Sequence, residues 1–113
     1  DKFMKTNDFL IAATANTAET HSIIKKYWDD EEYLLDPHTA VGVFVAENFN
    51  LEGPIICLST AHPAKFPRAI KKATGKDIAK HPILDALKGA ETRCATVANN
   101  LQAIKDYLRS NAV

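Results

Sequence analysis

The chain has 113 residues, enough for one compact domain and too few for two ordinary ones. Apolar residues make up 46% and charged residues 25%, which excludes a disordered, collagen-like or disulfide-scaffold chain. Its 14 basic side chains balance 14 acidic ones, so the bulk charge of a nucleic-acid binder is missing.

No apolar run approaches the roughly 20 residues that span a bilayer, and the opening Asp1-Lys2-Phe3-Met4-Lys5 is not a signal peptide. A soluble, cytoplasmic protein with no nucleic-acid or membrane partner is expected. Residues 8–14 form a short apolar run that reads as a strand. Asn16 with Glu19 three positions on is a capping box, and Ile23, Ile24, Tyr27 and Trp28 make a wide apolar stripe on the helix that follows. The acidic run Asp29 to Glu32 is a solvated surface.

Asp36 before Pro37 is a strong helix start, because proline has no N–H to leave unpaired and the aspartate accepts from the free amides behind it. The helix should run from residue 37 to about 48. Ala40, Val41, Val43, Phe44 and Val45 nearly encircle it, which predicts an interior helix with Gly42 permitting a close approach. Pro54-Ile55-Ile56-Cys57-Leu58-Ser59-Thr60 reads as a continuous apolar strand of a parallel sheet covered on both faces. Phe66, Ala69, Ile70 and Ala73 then mark a helix stopped by Gly75, with Lys65, Arg68, Lys71 and Lys72 forming a basic, wet face. Pro82 opens a short helix through Lys88, residues 92–97 suit a strand, and Asn99 caps a last helix whose Leu101, Ile104 and Leu108 face inward. The alternation predicts an α/β domain over residues 1–113: a small three-stranded, mainly parallel sheet with helices on both faces.

Ligands of open α/β sheets bind beyond the carboxyl ends of the strands, which here means Ser59, Thr60, His62 and Lys65 at a helix start. Asp36, His38 and Thr39 form a second polar cluster. The helix dipole disfavours the protonated form of His38, so a neutral imidazole there can orient a neighbour or face a ligand. On periodicity alone a structural reading is favoured: an Asp N-cap needs no function, and Ser59 and Thr60 can merely cap the next helix while His62-Pro63 sets the turn. Ser59 lacks the flanking glycines of a G-x-S-x-G elbow, which argues against a serine nucleophile. Cys57 and Cys94 fit no close-set ligand pattern and read as buried free thiols. His21, His38, His62 and His81 show no spacing for a metal, and none is expected.

Leu34-Leu35-Asp36-Pro37-His38-Thr39-Ala40-Val41-Gly42, followed by Leu58-Ser59-Thr60-Ala61-His62-Pro63-Ala64-Lys65-Phe66-Pro67, resembles the carboxyl-terminal part of threonine synthases of the bacterial and fungal type. The likeness covers about residues 8–75 well and the remainder in general pattern. It implies a tryptophan-synthase-like enzyme of fold type II that uses pyridoxal 5'-phosphate to convert O-phospho-L-homoserine and water into L-threonine and phosphate. The family's Schiff-base lysine and glycine-rich phosphate cradle have no counterpart here. The resemblance therefore implies a carboxyl-terminal portion that is inactive alone, carries no catalytic lysine and has the amino-terminal part of the same enzyme as its partner.

The resemblance further implies that Thr60 is the hydroxyl meeting the cofactor's pyridine nitrogen, with Ser59 beside it. His62 and Lys65 would lie near the cofactor or substrate phosphate, and Asp36, His38 and Thr39 would line or brace the cavity. Two other readings stay open from the residues themselves: a stand-alone module binding a phosphate-bearing small molecule, and an interaction domain that pairs its sheet edge with a partner.

Overall fold

Three cap-and-proline helix starts organise this chain. The structure, a computed structural model, describes residues 3–5, 11–49 and 52–112. Helix α1 spans Thr17–Glu31, and its capping box forms as expected: Asn16 Oδ1 accepts from the Glu19 amide at 3.0 Å, and Glu19 Oε2 accepts from the Asn16 amide at 2.7 Å. Helix α2 spans Pro37–Asn48 and starts on Asp36. A single 3-10 turn, Pro63–Lys65, leads into α3, Pro67–Thr74, which Gly75 ends at φ 73°, a left-handed conformation that suits glycine. The short α4, Pro82–Ala86, begins on His81. In both His-Pro starts the ring Nδ1 accepts the amide two residues on, His62 from Ala64 at 3.1 Å and His81 from Ile83 at 3.3 Å. Helix α5 is Leu101–Asn111, capped by Asn100 rather than Asn99, with Asn100 Oδ1 accepting from the Ala103 amide at 2.8 Å.

Helix α1 packs against both α2 and α3. Their contact holds the core: Ile23 and Ile24 from α1, Leu35, Ala40 and Val43 at α2, Ile70 and Ala73 from α3, and Ala79 beyond. Ile24 and Ile70 are 0% exposed, and full burial of such a side chain is worth about 1.5–3 kcal/mol. Tyr27 and Phe44 cover the flanks. Glu47 bridges α2 to α1, accepting from Lys26 Nζ at 2.8 Å and Tyr27 Oη at 3.0 Å.

Four further expectations are corrected. Among the described residues, the sheet consists of two short antiparallel strands, β1 Phe3–Lys5 and β2 Ile11–Ala13, with Phe3 opposite Ala13. Part of the 8–14 strand is thus found, but residues 54–60 and 92–97 join no sheet, because no described strand lies beside them to complete the ladder. Cys57 and Cys94 are free but exposed, since they sit on those uncovered segments. Gly42 is exposed, and no neighbour approaches within 4 Å of the space its Cβ would fill. Leu101, Ile104 and Leu108 of α5 are exposed, because among the described residues no helix or sheet packs over them. The radius of gyration, 19.0 Å, accordingly exceeds the roughly 13 Å of a close-packed chain of this length.

Candidate functional site

The site grows from the start of α2. Asp36 is buried, and its Oδ1 accepts from the amides of His38 at 2.9 Å and Thr39 at 3.3 Å. Its Oδ2 accepts from the hydroxyl of Thr39, itself buried. The His38 ring Nδ1 lies 3.3 Å from Oδ1, with the exposed imidazole edge-on to Phe66 at 5.0 Å. Burial pushes the Asp36 carboxyl up, but the hydrogen bonds from Thr39, the two amides and His38 outweigh it, and the group is held below its ordinary value. Asp36 is therefore a carboxylate at neutral pH with both oxygens engaged.

From this start the network reaches the extended segment: the Thr60 amide donates to Thr39 Oγ1 at 3.2 Å. Asp36, Thr39, Ser59 and His62 line one cleft of about 370 Å³, closed on its other side by Tyr33, Leu34 and Leu35. A neighbouring hollow of about 330 Å³ shares Tyr33, Leu35, Thr39 and Ser59 and runs on to Cys57 and Glu47. A larger hollow of about 490 Å³ on the outer side of α1, between Lys26, Asp30 and Tyr33, holds none of the expected site residues. It is the less informative concavity, because Lys26 beside Asp30 and Glu31 reads as ordinary solvated charge.

The structure thus brings together Asp36, Thr39, Ser59, Thr60 and His62. Thr60 joins through its backbone and keeps its side chain exposed. Lys65 falls on the far side of His62, in a smaller hollow of about 180 Å³ with His81, Ile83 and Leu84. Arg68, Lys71 and Lys72 are exposed, as a wet face should be. Sequence reasoning missed two residues. His81 stacks edge-on against His62 with ring centroids 4.7 Å apart, and the repeated His-Pro dipeptide was the available signal. Tyr33 walls three of the hollows, and no pattern in the sequence marks it. Among the described residues, no group of three or more histidine, cysteine or acidic side chains could hold a metal ion.

Residues 39–108 match the family described as "Threonine synthase, C-terminal". The chain belongs to the threonine synthase family. It is 36% identical to the threonine synthase of Pseudomonas aeruginosa over 89% of its own length and 22% of that relative. It is 42% identical to that of Schizosaccharomyces pombe over 58% of its length and 14% of the relative. Among solved structures it is similar to one titled as PLP-bound threonine synthase from Brucella melitensis, with 38% identity and a TM-score of 0.65 over 83% of this chain and 20% of that one. The chain spans between about a seventh and a fifth of the length of these threonine synthases. Thr39, Ser59, Thr60, His62 and Lys65 fall inside the matched domain, and Asp36 and His38 just ahead of it.

Proposed function

We propose that residues 1–113 form one domain, the carboxyl-terminal part of a cytoplasmic threonine synthase that converts O-phospho-L-homoserine and water into L-threonine and phosphate with pyridoxal 5'-phosphate. The observation that carries this reading is the meeting of the two stretches that resemble the family, joined through Thr39 and Thr60 beside a cleft. The amino-terminal part of the same enzyme supplies the catalytic lysine, the phosphate cradle and the remainder of the sheet. Residues 54–60, extended and apolar, become one of its strands. Among the described residues no helix is long and apolar enough to cross a membrane.

The residues present fit the cofactor by their donor set. The resemblance assigns the cofactor's ring nitrogen to the hydroxyl of Thr60, with Ser59 beside it; Ser59 lines the cleft and Thr60 adjoins it through its backbone, while the carboxylate of Asp36 is already engaged at both oxygens. When bound, the cofactor withdraws negative charge from the substrate carbon into its ring. A hydroxyl donating to the ring nitrogen leaves that nitrogen unprotonated and limits the withdrawal, where a carboxylate would increase it. His62 accepts an amide at Nδ1, so its neutral ring carries the proton on Nε2 and is a donor, suited to a phosphate oxygen. Lys65 adds a cation on the same turn. Asp36, Thr39 and His38 brace this wall of the cavity.

The test is the full-length enzyme, assayed for threonine formation and phosphate release. Thr60→Val should lower kcat about tenfold or more and shift the absorbance of the bound cofactor. Unchanged rate and spectrum would remove Thr60 from the site. The 113-residue chain should show no turnover, and calorimetric binding of phosphate or pyridoxal phosphate to it alone would favour a self-sufficient binding module.

A further inference from the structure

We propose that Asp36 and Thr39 act as positioning residues for Thr60: a buried carboxylate orients a buried hydroxyl, and that hydroxyl holds the backbone from which the Thr60 side chain projects. The inference rests on the reading above, in which Thr60 meets the cofactor ring. Each link has a defined direction. Asp36 Oδ2 can only accept, so the Thr39 hydroxyl spends its one proton there and turns its lone pairs outward, where the Thr60 amide donates at 3.2 Å. A hydroxyl that donates to a carboxylate is also a stronger acceptor.

Capping does not explain this arrangement in full. The two α2 amides need one carboxylate oxygen, and both go to Oδ1. The second oxygen serves Thr39, whose hydroxyl reaches a segment 21 residues on. Among the described residues, this is the hydrogen bond that fastens residues 52–60 to the helices, while the side chains of that segment are all exposed. Apolar packing acts at Ile55, 45% exposed, five positions before Thr60, and hardly at Ile56 or Leu58, so the relay is what holds the backbone at Thr60 itself. His38 touches the same carboxylate but from the solvent side, and its exposed ring is not needed for the link.

The experiment uses the full-length enzyme with Thr39→Val, which keeps the shape and removes the hydroxyl, and Thr39→Ser, which restores it. Hydrogen exchange of peptides spanning Thr60, followed by mass spectrometry on the cofactor-free protein, should be about five- to tenfold faster in the valine variant and near wild type in the serine variant. With cofactor bound, the valine variant should show a shifted absorbance band and a lowered kcat with KM little changed, and serine should rescue both. Should valine fail to fold by circular dichroism, Asp36→Asn probes the same link and should also speed exchange at Thr60. Unaltered exchange in a folded variant overturns the relay. Faster exchange with an unmoved cofactor band, in an enzyme where Thr60→Val does move it, overturns the positioning role. If Thr60→Val itself leaves the band in place, it is the site reading that has failed, and the positioning role falls with it.

Discussion

The three packed helices and the segment at residues 52–60 each carry apolar side chains in their sequence, yet the structure treats them oppositely. Ile24 and Ile70 lose all contact with solvent, whereas Ile56 is 86% and Leu58 78% exposed. The difference lies in what each can find nearby. The apolar faces of α1, α2 and α3 meet one another within about sixty residues of chain, a local closure that needs little loop entropy. A strand of a parallel sheet has no such option: its ladder and both its faces are supplied by other segments. The helical core thus closes on itself, while the apolar segment beside it stays uncovered among the described residues.

The largest expected effect tests the first half of that contrast. Ile70→Ala should destabilise the chain by about 2–5 kcal/mol, from lost burial and the cavity left between α1 and α3, measured as a lower urea midpoint with unchanged slope. Ile56→Ala should stay within about 0.5 kcal/mol in the 113-residue chain. In the full-length enzyme, where the proposed sheet covers Ile56, the same substitution should approach the Ile70 value. Equal effects of Ile56→Ala in both settings would break the comparison, because they would mean that the segment remains uncovered in the complete protein.

This contrast also explains which features were legible in the sequence. Helix starts depend on neighbours two or three positions away, so Asn16 with Glu19 and Asp36 before Pro37 could be read from sequence, and α2 begins and ends where its pattern does. Strand pairing depends on partners far along the chain, and there the apolar run Pro54 to Leu58 announced burial without showing who provides it. The same reason misplaced Leu101, Ile104 and Leu108, whose spacing is amphipathic but whose receiving surface is not among the described residues. Within the site, the motif letters named Asp36, Thr39 and Thr60, but nothing local could reveal that Thr39 reaches across 21 residues to the Thr60 amide. For His81 the repeated His-Pro dipeptide is a local signal, but its meeting with His62 is a matter of tertiary approach.

A second, smaller effect probes the join between the two regions. Replacing Asp36 by Ala should cost about 1–2 kcal/mol at neutral pH through loss of the α2 cap, more if Thr39 is left without its acceptor. The pH dependence has a defined sign. The folded-state carboxyl is held below its ordinary value of 3.8, so the unfolded chain takes up the proton first. The charged group's stabilisation is complete above that ordinary value and is lost as pH falls through the lower folded one. Asp36→Asn keeps an acceptor without the charge. Wild type and the Asn variant should therefore differ most near pH 7 and converge as the pH is lowered past 3.8 and through the lower folded-state value in denaturant titrations. A gap that stays constant over that range would show that the charge of Asp36 contributes nothing.

The smallest expected effect lies at the turn that folds α1 back toward α2 and so closes the helical core. Glu32 adopts φ 53° and ψ 23°, a left-handed conformation in which its Cβ crowds the backbone, while the Tyr33 amide caps the helix on the Tyr27 carbonyl at 3.1 Å. Glycine there relieves about 1 kcal/mol of crowding, offset in part by the greater freedom it gives the unfolded chain. Glu32→Gly should raise stability by about 0.5–1 kcal/mol. Some of that gain would come from removing a negative charge at a helix C-terminus, worth a few tenths of a kcal/mol. Glu32→Gln removes the charge and keeps the side chain, so the excess of the glycine variant over the glutamine variant isolates the backbone contribution. If the two variants are equally stable, crowding at Glu32 is negligible and the turn closes the core without strain.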